Sequence, residues 1–386
     1  MSRIYLDHNA TTRTHPEVRA AMTPYLEECF GNPSSMHMEG RRARDAVERA
    51  RREVAAFLGA APEEIIFTSG GTEGDNLAIR GAAHAIRRRS GRTRIVSSPL
   101  EHPAVRASLE ALAAEGFDVR LVPVLPDGSL DLGAFGRLLD EHTALVTLQL
   151  ANHELGHLYP ISQIAGLAHA VGALVHTDAV QAAGKVPLDA AALGVDLLTL
   201  SGHKMYGPKG VGAIYQRRGV ELDPLVAGGH QERERRGGTE NVAAIVGLGA
   251  ACAIARREQG TWAEKMTVLR DRLEAGALAI PGARRFGGDP RVPGTTNLGF
   301  AGVEGELVLA GLDLAGVAVS TGAACTSGSL DPSPVLLALG LDRQTALTAV
   351  RFSLGRETTA EEIDHVLGVL PEIVARVRRV DAQLRA

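Results

Sequence analysis

The chain has 386 residues, 45% of them hydrophobic and 22% charged, which is enough apolar material for an extensive core in two domains or one large one and argues against disorder. Its 41 basic and 45 acidic residues leave a formal charge of −4, too balanced for a nucleic-acid binder or for a surface drawn to anionic lipid. A small-molecule substrate or a protein partner suits this composition better.

The N-terminus, Met1-Ser-Arg-Ile-Tyr-Leu-Asp7, lacks an apolar signal core. No later apolar run approaches the ~20 residues that span a bilayer, so a cytoplasmic protein is predicted. Residues 41–58 read as a helix that opens basic and continues with Val47, Val54 and Leu58 at helical spacing. Short apolar runs then recur at 65–67, 95–98, 119–122, 145–150, 174–177, 197–200 and 211–215, separated by helical stretches such as 103–115. Strands alternating with helices predict an α/β domain with a mostly parallel sheet covered on both faces. After about Gly247 the texture changes to a helix through Arg257 and a second from Trp262 to Leu278, followed by Gly- and Pro-rich turns over 282–294. A smaller α+β domain is expected there, closed by one or two amphipathic helices over 359–380. There is no internal repeat or long charged tail.

The motifs that carry chemistry sit at the ends of these predicted strands. Ser69-Gly-Gly-Thr72-Glu73 follows a strand and precedes a helix, where free N–H groups and the helix dipole favour a phosphate. His176-Thr-Asp178-Ala-Val-Gln181 ends a second strand with a carboxylate that could pair with a protonated ring nitrogen, and Gln181 could donate to a ring oxygen. A third strand runs into Ser201-Gly-His203-Lys204, whose amine can form a Schiff base once desolvated. Anion site, pyridinium partner and Schiff-base amine are together what pyridoxal 5′-phosphate requires. His153-Glu154-Leu-Gly-His157 matches the HExxH pattern of zinc hydrolases. It follows a strand directly, contains Gly156 and is succeeded by Pro160, so its histidines are not expected to share a helical face and no metal is predicted.

Three cysteines, Cys29, Cys252 and Cys325, are odd in number and widely spaced, which indicates neither a disulfide framework nor a cysteine zinc site. Cys252 and Cys29 read as small buried hydrophobes. Cys325 lies instead in a run of small residues, Ser320-Thr-Gly-Ala-Ala-Cys325-Thr-Ser-Gly-Ser329, that suits a nucleophile on an exposed loop.

Across nearly the whole chain these segments resemble the cysteine desulfurases of the class V aminotransferase superfamily, in the branch that includes the nitrogenase-associated enzyme. The matching runs are Tyr5-Leu-Asp-His-Asn-Ala-Thr-Thr12, Gly31-Asn-Pro-Ser-Ser35, Thr68-Ser-Gly-Gly-Thr-Glu73, Glu101-His102, His176-Thr-Asp178, Ser201-Gly-His-Lys204, Gly237-Gly-Thr-Glu-Asn241, Ala324-Cys-Thr-Ser327 and Arg351-Phe-Ser-Leu-Gly-Arg356. The resemblance implies the aspartate-aminotransferase fold, fold type I. Its large cofactor domain would cover residues 13–247 and its small domain residues 1–12 and 248–386.

By the same resemblance Lys204 would anchor pyridoxal 5′-phosphate covalently, Asp178 would hold its ring nitrogen, His102 would stack on the ring and Gln181 would contact the phenolic oxygen. Gly71, Thr72, Ser201 and His203 would bind the phosphate, joined by Thr239 from the partner subunit of a homodimer. Arg351 would grip the substrate carboxylate, and Cys325 would receive sulfur from L-cysteine for an iron–sulfur scaffold or another acceptor protein. The family usually has two asparagines where this chain has Asn152-His153, so His153 is expected to donate to the ring oxygen with altered tuning. Glu234 stands where glycine is common, and Pro334 where a histidine is usual. A class V transaminase or selenocysteine lyase is the alternative on this scaffold, and a zinc hydrolase the remote one.

Overall fold

The computed structural model describes residues 3–321 and 331–385. Twelve strands occur in the described chain: β1 Ile4–Tyr5, β2 Ile65–Thr68, β3 Arg94–Ser97, β4 Asp118–Leu121, β5 Thr143–Thr147, β6 Leu174–Asp178, β7 Leu197–Ser201, β8 Gly212–Gln216, β9 Ala283–Phe286, β10 Thr295–Phe300, β11 Val317–Ala318 and β12 Ala349–Ser353. Seven of them form one sheet in the order β2-β8-β7-β6-β5-β3-β4, in which β8 alone runs antiparallel to its neighbours. The chain directions therefore bring the carboxyl ends of β2, β7, β6, β5 and β3 to one edge. Strands β2, β5, β7 and β8 are buried along their whole length, as a sheet covered on both faces requires. β2 and β4 are the two edge strands, and the exposed one, β4, carries Asp118 and Arg120.

The sheet β12-β10-β9 is antiparallel, and β1 pairs in parallel with β11. The first residues are thus stitched to the C-terminal part of the chain. Helix Met38–Leu58 places Val47, Val54 and Leu58 in the core and stops at Gly59, which takes the left-handed conformation (φ 64) that lets the helix end tightly.

The two helices expected on either side of residue 260 are one, Val242–Leu278. A glycine inside a helix costs only about 1 kcal/mol. Burial of Cys252, Ile254 and Ala255 before Gly260, and of Trp262, Met266 and Leu269 after it, outweighs that cost. Gly247, where the texture of the sequence changes, lies inside this helix. The C-terminal helix, Ala360–Arg385, likewise runs through Pro371 unbroken. Cys252 is buried as expected, but Cys29 is only half-buried, because it follows helix Pro16–Glu27 in the exposed connection that also carries Phe30. Among the described residues no helix is long and apolar enough to cross a membrane.

Candidate active site

At the carboxyl edge of the large sheet lies a cavity of about 210 Å³ lined by Gly71, Thr72, His102, His153, Asp178, Gln181, Ser201, His203 and Lys204, with Asp75 and Gln149 beneath them. Every one of those first nine residues was singled out in the sequence. The glycine-rich turn after β2 contributes Gly71 and Thr72 to the cavity lining. It comes so near β8 that a side-chain carbon on Gly212 would sit 2.8 Å from Cα of Gly70, so glycine at 212 is what admits the turn.

Lys204 is presented by a single tight turn, Gly202–Lys204, that continues β7. Its Nζ donates to the main-chain oxygens of Asn9 at 2.5 Å and Ala10 at 2.9 Å. The same Asn9 oxygen accepts from Gln181 Nε2 at 2.8 Å. Behind them Lys185, 8% exposed, donates to Gln181 Oε1 at 2.6 Å and to Asn9 Oδ1 at 2.7 Å. Burial first, then the charges of Lys204 and Arg351, press the Lys185 ammonium well below the usual lysine range.

Three carboxyl groups are buried around the sheet edge. Asp178 closes β6 and accepts the Val180 N–H at 2.8 Å; burial pushes its carboxyl up, against the opposing pull of that hydrogen bond and of Lys204. Asp75 is pushed well above the carboxylate range, chiefly by burial and then by Asp178, and its Oδ1 has no hydrogen-bond partner. Glu101 accepts from Ser98 Oγ at 2.6 Å and from Gln149 N–H at 3.0 Å, yet burial still raises it to about 8.

The imidazoles are held neutral. His102 caps helix Pro103–Ala114 through Nδ1, which accepts the Ala104 N–H at 3.1 Å, and burial lowers it to about 4. That contact leaves Nε2 as the protonated nitrogen. His153 stands edge-on to it with ring centroids 5.5 Å apart, and burial pushes its pKa well down; Nδ1 is buried without a partner. The HExxH segment is a turn and not a helix: Ala151 bridges Leu158 across it, and His157 turns its ring toward the Gly288 carbonyl oxygen. Glu154 is buried under it and accepts from Ser333 Oγ at 2.5 Å.

Two expected site residues, Arg351 and Thr239, lie outside the cavity lining. Arg351, on β12 and 3% exposed, donates to the His153 carbonyl oxygen at 2.9 Å and to Asp7 Oδ1 at 2.8 Å, with Nε left unpartnered. Thr239 is exposed on the segment that precedes helix Val242–Leu278. Cys325 falls outside the described residues. Glu234 adopts φ 67, the conformation in which glycine would be unstrained, and Pro334 occupies the first turn of helix Pro334–Ala338, where its missing N–H is not needed.

Sequence reasoning did not single out Asp75 and Lys185. Each sits in a stretch that reads as an ordinary solvated turn or helix start, and only the sheet order turns it inward. A buried fold for Gln181 was the one available signal for Lys185, four residues on.

Residues 4–366 match the aminotransferase class-V family, and the chain belongs to it. It is 50% identical over 380 residues to the cysteine desulfurase of Trichormus azollae, covering 98% of this chain and 94% of that one. A solved NifS-like protein superposes with a TM-score of 0.91 at 37% identity, covering 97% of this chain and 100% of the other. A second solved structure, SspA in complex with cysteine, gives a TM-score of 0.81 at 34% identity over 92% of this chain and 100% of that one. Within the class-V aminotransferases the chain falls in the cysteine desulfurase branch, and its fold is fold type I.

Proposed function

We propose that the protein is a pyridoxal 5′-phosphate-dependent L-cysteine desulfurase, which converts L-cysteine to L-alanine and passes the sulfur to Cys325 as a persulfide. The observation that carries this reading is the convergence of the Lys204 amine, the Asp178 carboxylate and the Gly70-Gly71 turn on one cavity, in a chain half identical to a cysteine desulfurase over nearly its full length.

The residues present fit the cofactor. The cavity lining offers Thr72, Ser201 and His203 with Gly71, a donor set for a phosphate. It also offers a buried carboxylate, Asp178, whose raised pKa is relieved when a cationic ring nitrogen stands against it. Asp75 Oδ1 and His153 Nδ1, both buried without hydrogen-bond partners, leave polar capacity for a polar ligand. Pyridoxal phosphate, when bound, supplies the electron sink for chemistry at an amino-acid α-carbon.

The chain's own groups divide the remaining work. Lys204 Nζ, held by the Asn9 and Ala10 carbonyls, is the base that takes the substrate α-proton. His102 is neutral near pH 7 and, with Nδ1 occupied by the Ala104 N–H, keeps its Nε2–H as a hydrogen-bond donor for what the cavity binds. Arg351 already holds a carboxylate, that of Asp7, and a substrate carboxylate would take its place on the guanidinium fork. The Cys325 thiolate takes the substrate sulfur, and the remaining three-carbon fragment departs as L-alanine.

The protein works as a homodimer in the cytoplasm and delivers sulfur to an iron–sulfur scaffold or a comparable acceptor. Thr239, exposed and away from its own subunit's cavity, is free to complete the phosphate site of a partner. The division into residues 13–247 and residues 1–12 with 248–386 belongs to the same reading. The test is to incubate pure protein with L-cysteine and measure alanine and sulfide. Formation of a keto acid without sulfide would point to a transaminase instead.

A further inference from the structure

We propose that Lys185 is a positioning residue of this site, whose buried amine clamps the Gln181 amide and Asn9 into the arrangement that seats Lys204; the inference rests on the pyridoxal-phosphate reading above. The Asn9 main-chain oxygen can only accept, so the Gln181 atom 2.8 Å from it must be Nε2 and the opposite atom must be Oε1. Lys185 Nζ meets that Oε1 at 2.6 Å and locks the amide in this sense. One Gln181 N–H then holds Asn9, and the other is left for a ligand of the cavity that Gln181 lines.

The second contact works on the other side of the same node. Lys185 Nζ fixes Asn9 Oδ1 at 2.7 Å, which turns the Asn9 amide nitrogen toward Thr295 Oγ1 at 3.0 Å and the His153 carbonyl oxygen at 3.2 Å. Asn9 is 2% exposed and held at every polar atom, so its main-chain oxygen is a fixed acceptor for Lys204. Lys185 is not itself among the residues lining the cavity, and the charge of Lys204 acts against its own. A buried lysine carries a large desolvation penalty. The two oxygens it binds are both parts of the machinery around Lys204, which is why its place is read as positioning.

The test uses holoenzyme and the visible absorption of bound pyridoxal phosphate. Lys185→Met should retain the cofactor but shift its absorption maximum, and should lower kcat by up to about a hundredfold with a smaller change in KM, as a displaced reacting group does. Gln181→Leu should shift the maximum in the same direction, and the double variant should shift it no further, because the two side chains act as one unit. Lys185→Arg, which keeps donors to both oxygens, should restore most of the native spectrum. If Lys185→Met does not fold, the comparison of Lys185→Arg with Gln181→Leu decides: an Arg spectrum displaced as far as that of Gln181→Leu overturns the proposal. A native absorption maximum and kcat in folded Lys185→Met, or shifts that add in the double variant, overturn it as well while leaving the site reading intact. A wild-type protein that takes up no pyridoxal phosphate overturns the site reading, and this inference with it.

Discussion

Replacing Glu101 by glutamine should make the protein more stable, and increasingly so as the pH rises. The carboxyl is 1% exposed, and burial lifts its pKa from an ordinary 4.5 to about 8. Between those values the folded chain keeps a proton that the unfolded chain releases. The stability gained from the neutral carboxyl is therefore complete below the unfolded value and lost as the pH climbs toward the folded one. At about 1.4 kcal/mol per unit, wild type should lose on the order of 3 kcal/mol between about pH 5 and about pH 8 from this group alone.

Glutamine reproduces the neutral form. Its oxygen can accept from Gln149 N–H, and its nitrogen can donate to Ser98 Oγ, which already accepts from Leu100 N–H. Urea unfolding of both proteins at the two pH values measures the gap between them, which should widen by about that amount. A gap that stays constant refutes the claim that burial keeps Glu101 protonated.

Lys204→Ala should remove both the visible absorption of the cofactor and turnover of L-cysteine, measured on the same preparation. Cys325→Ala should still take up pyridoxal phosphate, while alanine and sulfide release collapse. In native protein mapped after a brief reaction without reductant, the extra sulfur should lie on the Cys325 peptide and not on those of Cys29 or Cys252. Mixing Lys204→Ala with Thr239→Ala subunits should recover activity that neither has alone, as a site shared across a dimer demands. Glu234→Gly should raise the thermal midpoint modestly, by the equivalent of up to about 1 kcal/mol, because φ 67 strains a side chain with a β-carbon; a lower midpoint would show that the His230 contact at 2.7 Å matters more.

Most of the sheet and much of the cavity were legible from short-range pattern. Strand runs such as 197–200 and 174–177 announced themselves by apolar residues bounded by polar ends, and in a parallel sheet those ends meet automatically. Asp178 and Lys204 were therefore found by position as much as by type. What pattern could not reach was partnership. Nothing in Thr72-Glu73-Gly74-Asp75 tells a solvated helix start from one whose last carboxyl is buried beside Asp178. Arg351 reads as a free cation, and only the fold supplies Asp7 from the far end of the chain. The supposed break near Gly260 failed for a related reason, since local propensity is worth less than the core contacts on either side. His153 was expected to act as a donor; its unpartnered Nδ1 and neutral ring leave donor and acceptor roles both open to a ligand.

The pairing of β1 with β11 also bears on how the protein is made. Ile4 leaves the ribosome long before Val317, its neighbour in the finished sheet. At about 5–20 residues per second the N-terminal strand waits roughly a quarter of a minute to a minute for that neighbour. Asn9 and Ala10, a few residues beyond it, accept from Lys204, and Asn9 is in turn held by Ser353 and Thr295 from the late-made part of the chain. A nascent chain carrying the complete large sheet would still hold its key amine unseated, so cofactor capture should be nearly the last event of biosynthesis, and ribosome-bound chains stalled before residue 317 should fail to retain pyridoxal phosphate.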